Sequence, residues 1–252
     1  MAHTVTVGGI PTTRMTRAEL ARQMVSDCQE ARTGSLALPR LIFSSNGSVI
    51  AAFHRHREFR NSLAHADIVD ADGMPLIMAT RLLCRVPLRE RVATTDFIHD
   101  AATEASAAGL RFYFLGAAPN VAEQAMVKLR ARHPALQVVG TRHGYFSAEE
   151  EPGICEDVVR RGTDVLWVGL GSPRQEMFAV ANRARLPGLG WIRTCGGLFD
   201  HCAGSVRRAP DWMQSAGLEW LHRATLEPLR LGPRYLSTNP RAAFHLMTKT
   251  HD

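Results

Sequence analysis

Residues Asp164–Ala179 read DVLWVGLGSPRQEMFA. Val165–Gly169 is an unbroken apolar run, the pattern of a strand covered on both faces. Gly169 and Gly171 allow a tight turn and a close approach of backbone to a ligand. Ser172 suits an N-cap and Pro173 the first helical position, so a helix is predicted over Arg174–Arg185. A strand, a glycine turn and a helix N-terminus in that order build the carboxyl edge of an open α/β sheet, where ligands bind and anions are favoured. Two readings of Gln175 stand side by side. At three residues from Ser172 it has capping-box spacing, or it faces a ligand together with Glu176.

Outward from this stretch, strand-like runs recur at Thr4–Val7, Leu41–Ser44, Ile68–Ala71, Arg111–Leu115, Gln137–Thr141 and Trp191–Cys195. Helical patterns lie at Arg17–Arg32, Thr95–Ala108 and Asn120–His133. That alternation predicts an α/β fold with a mostly parallel sheet flanked by helices. From Ala203 onward no further strand is predicted. Pro210, Pro228, Pro233 and Pro240 divide the remainder into short helices. The predicted organisation is an α/β core over 1–202 and a helical, arginine-rich appendage over 203–252.

The 252 residues carry a formal charge of +6, nearly all of the positive charge on arginine, since Lys128 and Lys249 are the only lysines. Arginine's planar fork suits phosphate; biased codon usage would enrich it equally. The five cysteines form no C-x-x-C pair and no zinc spacing, which points to a reducing compartment and no metal framework. MAHTVTVGGIPTTRMTR lacks a basic start followed by an apolar core, so no signal peptide is expected. No apolar run is long enough to span a bilayer. A soluble or surface-bound protein is expected.

The common nucleotide motifs fail. Gly169-Leu170-Gly171 begins a dinucleotide fingerprint, but Arg174 stands where its third glycine belongs, and no P-loop occurs. Asp70-Ala71-Asp72-Gly73 ends a predicted strand. Asp72 there is either a turn residue capping the helix after Pro75 or a carboxylate placed as general base, and D-x-D is also a form that can hold a metal-bound sugar diphosphate. Ser44, Ser45 and Asn46 end another strand and can cap a helix or meet a ligand. Arg91 precedes a helix expected to be capped by Thr94 or Thr95. Gly116 repeats the strand–glycine–helix pattern, and Gly196, Gly197 and Asp200 end the last strand. His201 reads as structural. Arg223, Arg230 and Arg234 share helical spacing but for Pro228 and Pro233. With Trp212, Leu218 and Trp220 nearby, they suit an anionic membrane interface, or the apolar residues pack on the core.

Together these segments resemble the WecG/TagA/CpsF glycosyltransferases, family 26. The segments that carry the resemblance are DADGMP, FLGAAPNVAEQA, VVGTRHGYF, DVLWVGLGSPRQEMF, CGGLFDHCAGSVRRAPDWMQSAGLEWLHR and EPLRLGPRYL, in order across almost the whole chain. Two departures are visible: Ser44-Ser45-Asn46 replaces the family's T-x-N, and Arg91–Asp96 reads R-V-A-T-T-D where the family has R-V-T-G-x-D. The resemblance implies a Rossmann-like core and an inverting, metal-independent enzyme without cofactor. That enzyme moves a hexose or N-acetylhexosamine-type sugar from a UDP-sugar to a polyprenyl-diphosphate-linked sugar. The setting it implies is bacterial surface or exopolysaccharide synthesis, peripheral on the inner face of the cell membrane. By position, Asp72 is then the catalytic base. Ser44, Asn46, Arg91, Gly116, Gly171, Gln175, Glu176 and Asp200 line the substrate pocket, and Arg208, Arg223, Arg230 and Arg234 close over it. The expected partners are donor, acceptor and an anionic membrane surface, with no nucleic acid; self-association is compatible with this reading. Two other classes are a nucleotide-dependent α/β oxidoreductase and a basic nucleotide- or RNA-binding protein; the broken glycine fingerprint and the lack of an RRM or KH signature speak against them.

Overall fold

The computed structural model describes residues 4–252, except the side chain of Arg230. Strands β1 (Thr4–Val7) and β2 (Ile10–Thr13) form an antiparallel hairpin. The turn between them uses Gly8 and Gly9, both at positive φ, as a two-residue hairpin turn requires. The second arm is absent from the sequence expectations. Helix α1 (Arg17–Arg32) follows, opened by a capping box between Thr16 and Glu19.

The core sheet is built from β3 (Arg40–Ser45), β4 (Ile68–Ala71), β5 (Arg111–Gly116), β6 (Gln137–Arg142), β7 (Val165–Gly169) and β8 (Trp191–Thr194). All six are parallel, in the order β4-β3-β8-β7-β5-β6. Between them run α2 (Gly47–Arg55), α3 (Arg57–Leu63), α4 (Met74–Leu83), α5 (Thr94–Ala108), α6 (Val121–Arg132), α7 (Glu151–Arg160) and α8 (Arg174–Asn182). After β8 come α9 (Leu198–Cys202), α10 (Asp211–Ser215), α11 (Glu219–Leu226) and α12 (Pro228–Thr248).

Two apolar cores cover the two faces of the sheet. On one, Val49 and Ile50 of α2, Phe59 of α3, Ile154 of α7 and Phe178 of α8 pack together. On the other, Leu20 of α1, Phe97 of α5, Ala125 of α6 and Phe199 of α9 meet Trp167 and Trp191. Crossovers toward β4 place their helices on the first face, and the β5-to-β6 crossover uses the second, as right-handed connections demand. Asp164, the first residue of the opening stretch, is almost fully buried. It accepts bonds from Arg32 Nε (2.8 Å) and from the Arg111 backbone N–H (2.7 Å), tying α1 to β5 and β7.

The C-terminal segment departs from the expectation of proline stops. Pro228 opens α12, but Pro233 and Pro240 lie inside this 21-residue helix. They stand seven residues apart and both are exposed. The carbonyls that their missing N–H groups leave free therefore face water, and the helix continues. Leu231, Ala242 and Leu246 are buried among its described residues, and His245 stacks on His54 of α2 at 3.6 Å. Beyond it, Thr250 Oγ1 accepts the Gly8 N–H, His251 bridges to Thr6, and Asp252 accepts the Arg85 N–H at 2.7 Å. Residues 203–252 thus leave the sheet at α9 and return to the β1–β2 hairpin.

Gly116 shows how closely the sheet's carboxyl edge is packed. It pairs with Gly169 across β5 and β7, at φ +146, and an added Cβ would lie 2.3 Å from the Gly169 carbonyl oxygen. Backbone cannot move as a flexible side chain can. Gly116→Ala is expected to cost about 3 kcal/mol of stability from strain and overpacking, readable as a lower denaturation midpoint. An unchanged midpoint would show that the edge can relax.

Candidate active site

The helices that follow β3 and β7 lie on one face, and those that follow β5 and β8 on the other. Neighbouring strands that send their chains to opposite faces open a crevice at their carboxyl ends. Asn46, Asp72, Gly116, Gly171 and Gly196 all stand at this edge.

Asp72 follows β4 directly. Its N–H donates to the Ser45 carbonyl at 2.9 Å, and the Val92 N–H donates to Ala71 at 2.8 Å, so the segment before α5 runs beside the end of β4. The Thr94 N–H, at the start of α5, points to Asp72 Oδ1 at 3.3 Å. Burial raises the Asp72 pKa to about 6, with the Asp70 carboxylate adding to the rise and the Arg91 guanidinium and the Thr94 N–H opposing it. Two capping expectations are corrected here. Asp72 does not cap α4, whose N-cap is Gly73 with no side-chain bond. Neither Thr94 nor Thr95 caps α5; its N-cap is Ala93, and Asp72 meets the helix's first N–H from another element.

Asp70 and Arg193 form a fully buried ion pair across the sheet. The Arg193 guanidinium lies 5.0 Å from the Phe97 ring centroid. Arg193 has no counterpart among the sequence expectations; the signal was a charged residue inside the apolar strand Trp191–Thr194. Its Nε and Nη2, Asp70 Oδ1, Ser45 Oγ and Thr194 Oγ1 are buried without protein partners among the described residues.

The polar run after Gly171 resolves into distinct tasks. Gly171 sits at φ +76 with open space where a Cβ would be, so the turn, not crowding, calls for glycine. The Ser172–Gln175 capping box does not form. Gln175 Oε1 accepts the Gly196 N–H at 3.0 Å, and its Nε2 donates to Glu176 Oε1 at 2.8 Å. Gln175 therefore braces the turn after β8 against α8. Glu176 is almost fully buried, burial raises its pKa, and Oε2 has no hydrogen-bond partner among the described residues. Arg174 turns away, donating to the carbonyls of Gly144 and Phe146, both at 2.9 Å, and lying over the Phe146 ring. Sequence spacing cannot distinguish these directions, because they depend on which loop arrives opposite.

At the end of β3, Asn46 caps α2 by accepting the Val49 N–H at 3.1 Å, and Ser44 Oγ shares a hydrogen bond with Thr94 Oγ1 at 3.2 Å. Asp200 is half-buried in α9. Burial, then the charges of Arg223 and Arg208, keep the His201 pKa below the ordinary imidazole value.

The segment after α9 meets the core through charge. Arg91 Nη1 donates to Glu219 Oε2 at 2.6 Å. Arg208 pairs with Asp96 in the first turn of α5 and donates to Gln214. Arg223 is half-buried near His201, whereas Arg234 is exposed on α12. The Arg230 side chain lies outside the described residues.

The family model described as "Glycosyl transferase WecG/TagA/CpsF family" matches residues 5–251. The chain belongs to the WecG/TagA/CpsF glycosyltransferase family. A WecG/TagA/CpsF protein is a transferase of cell-envelope polymer synthesis, working on a nucleotide-sugar donor and a lipid-linked acceptor. This membership displaces the oxidoreductase and RNA-binding readings. The α/β Rossmann-like architecture holds in this family member, with a sheet that is parallel throughout. No helix among its described residues is long and apolar enough to cross a membrane.

Proposed function

We propose that this chain is an inverting, metal-independent transferase. It moves a hexose or N-acetylhexosamine-type sugar from a UDP-sugar to a polyprenyl-diphosphate-linked sugar at the inner face of the cell membrane. The observation that carries the proposal is Asp72: a carboxylate at the sheet's carboxyl edge, with a pKa of about 6, beside Arg91 and the α5 N-terminus. In the reaction, Asp72 takes the proton of the acceptor hydroxyl as that oxygen bonds to the anomeric carbon. The bond from that carbon to the diphosphate oxygen breaks, and UDP leaves with the electron pair. Attack opposite the leaving group inverts the anomeric centre. Arg91, Arg208 and Arg223, with the N–H groups opening α5 and α8, would balance the leaving charge. Metal independence is supported by Asp70, which is fully buried with Oδ2 paired to the Arg193 guanidinium, and so is a poor cation ligand. The direct test is mass-spectrometric detection of a lipid-linked disaccharide from a UDP-sugar panel and a synthetic acceptor. No product from any donor would reject the reading.

The membrane part of the proposal rests on α12 as a lid and contact helix. Leu229, Pro233, Leu236, Pro240, Phe244 and Met247 are all exposed. Their spacings of three and four place them on one face, opposite the buried Leu231, Ala242 and Leu246, with Arg234 and Arg241 beside the stripe. An apolar stripe flanked by arginine suits an anionic lipid surface. Leu236→Asp, at a position 80% exposed, is expected to weaken partition onto phosphatidylglycerol vesicles by about tenfold or more. Cosedimentation checks this, and unchanged partition would remove α12 from the contact.

A further inference from the structure

One carboxylate links the C-terminal lid segment, α11 included, to the crevice. Glu219, the first residue of α11, reaches a guanidinium 128 positions earlier in the chain, Arg91, at 2.6 Å. Arg91 is itself well enclosed, with its side chain 11% exposed. A nearer partner was available. Arg223 stands four residues after Glu219 on the same helix, the spacing at which an acid followed by a base forms a helix ion pair. Yet Arg223 forms no ion pair among the described residues, and its Nε is buried without a hydrogen-bond partner. Arg208 Nε also lacks a hydrogen-bond partner among the described residues, although its Nη1 is paired with Asp96. Glu219 therefore occupies Arg91, a guanidinium whose charge bears on Asp72, while Arg223 on its own helix is left without an ion-pair partner among the described residues.

A carboxylate and a phosphate present the same paired-oxygen edge to guanidinium. The carboxylates around Arg91 are Asp72 from the end of β4, whose own charged neighbour is Asp70, Asp96 from α5 at 3.9 Å, and Glu219 from α11. Arg17 and Arg208 hold Asp96, and Arg193 holds Asp70. Glu219 is the member of this set that belongs to the lid and can leave without breaking the sheet.

We propose that Glu219 is a stand-in for substrate phosphate: without ligand it occupies Arg91 and latches the lid, and the diphosphate of a nucleoside-diphosphate donor displaces it. On release, Glu219 finds Arg223 one turn along its own helix, so displacement strands no charge. Binding of donor and release of the latch are thereby one exchange, and the lid reopens and re-forms around the diphosphate. The inference rests on the donor reading given above.

The experiment is calorimetric titration of UDP, with uridine as the phosphate-free control, into the full chain and its Glu219→Gln, Glu219→Asp, Arg91→Gln and doubly substituted Arg91→Gln/Glu219→Gln variants. Glu219→Gln removes the competitor and is expected to tighten UDP binding by about five- to tenfold, a common size for coupled binding equilibria. Uridine affinity should not change, and Glu219→Asp, which keeps the charge, should stay within about twofold of the parent. In the Arg91→Gln background the Glu219→Gln gain should disappear, since the competition is for Arg91. Unchanged or weaker UDP binding by Glu219→Gln overturns the proposal. So does a gain that persists without Arg91, which would show only the removal of a negative charge. Failure of the unsubstituted chain to bind UDP at all would instead defeat the donor reading, and this inference with it.

Discussion

Replacing Asp72 by Asn is expected to lower sugar transfer by about a thousandfold, within the range that a positioned general base contributes, while UDP affinity should change little. The separation follows from the geometry. Asn keeps an oxygen that can accept the Thr94 N–H, the one hydrogen bond made to the Asp72 carboxylate among the described residues, so α5 and the neighbouring Arg91 should stay in place. What is lost is the ability to take a proton from the acceptor. The same residue sets a pH dependence. Burial is the main force raising its pKa to about 6, with Asp70 and Glu219 assisting and Arg91 and the Thr94 N–H opposing. A base works only when ionised. Turnover should therefore be low below that value, rise through it, and level off above. In Asp72→Asn the remaining activity should lose this acidic limb. Near-normal turnover in the variant, or an unchanged limb, would take Asp72 out of the role.

Arg193→Met is expected to be the most destabilising single substitution at the site, by about 3–5 kcal/mol, because it strands a buried carboxylate. Asp70 and Arg193 are both fully buried, so neither can turn to water. Burial already pushes the Asp70 pKa up, and Arg193 is the main force holding it down. Without the guanidinium, Asp70 must take up a proton or open the sheet. The loss should show as a lower midpoint in denaturant unfolding. The double substitution Asp70→Leu/Arg193→Met should recover most of it, since an apolar pair of similar volume replaces a buried ion pair at little cost. A loss below about 1 kcal/mol in the single variant would mean that water reaches Asp70, against the sealed pair described above.

Much of the architecture was legible because it is periodic. Val165–Gly169 and Ile68–Ala71 are strand-like runs and Arg17–Arg32 has a helical pattern, so β7, β4 and α1 fall where expected. The arm Ile10–Thr13 was missed because a four-residue strand containing proline reads as loop until its partner is seen. Pro233 and Pro240 were read as stops because local sequence does not show that both face water. At the site, Asp72 and Arg91 stood out as charged residues beside predicted strand and helix ends. The tasks of Gln175, Arg174 and Arg193 did not, because each is defined by a partner brought from elsewhere: Gly196, the Gly144–Phe146 loop and Asp70. The pairing of Glu219 with Arg91 is hidden for the same reason.

The most direct measurement is the anomeric configuration of the product, by NMR, from an α-linked UDP-sugar and a polyprenyl-diphosphate-linked sugar, with EDTA present throughout. A single carboxylate base, with arginines and helix N-termini neutralising the leaving group, predicts a β-linked product formed at an undiminished rate. An α-linked product would require a covalent or front-side route that Asp72 alone does not provide. Loss of turnover in EDTA would place a metal ion where the arginines are proposed to act.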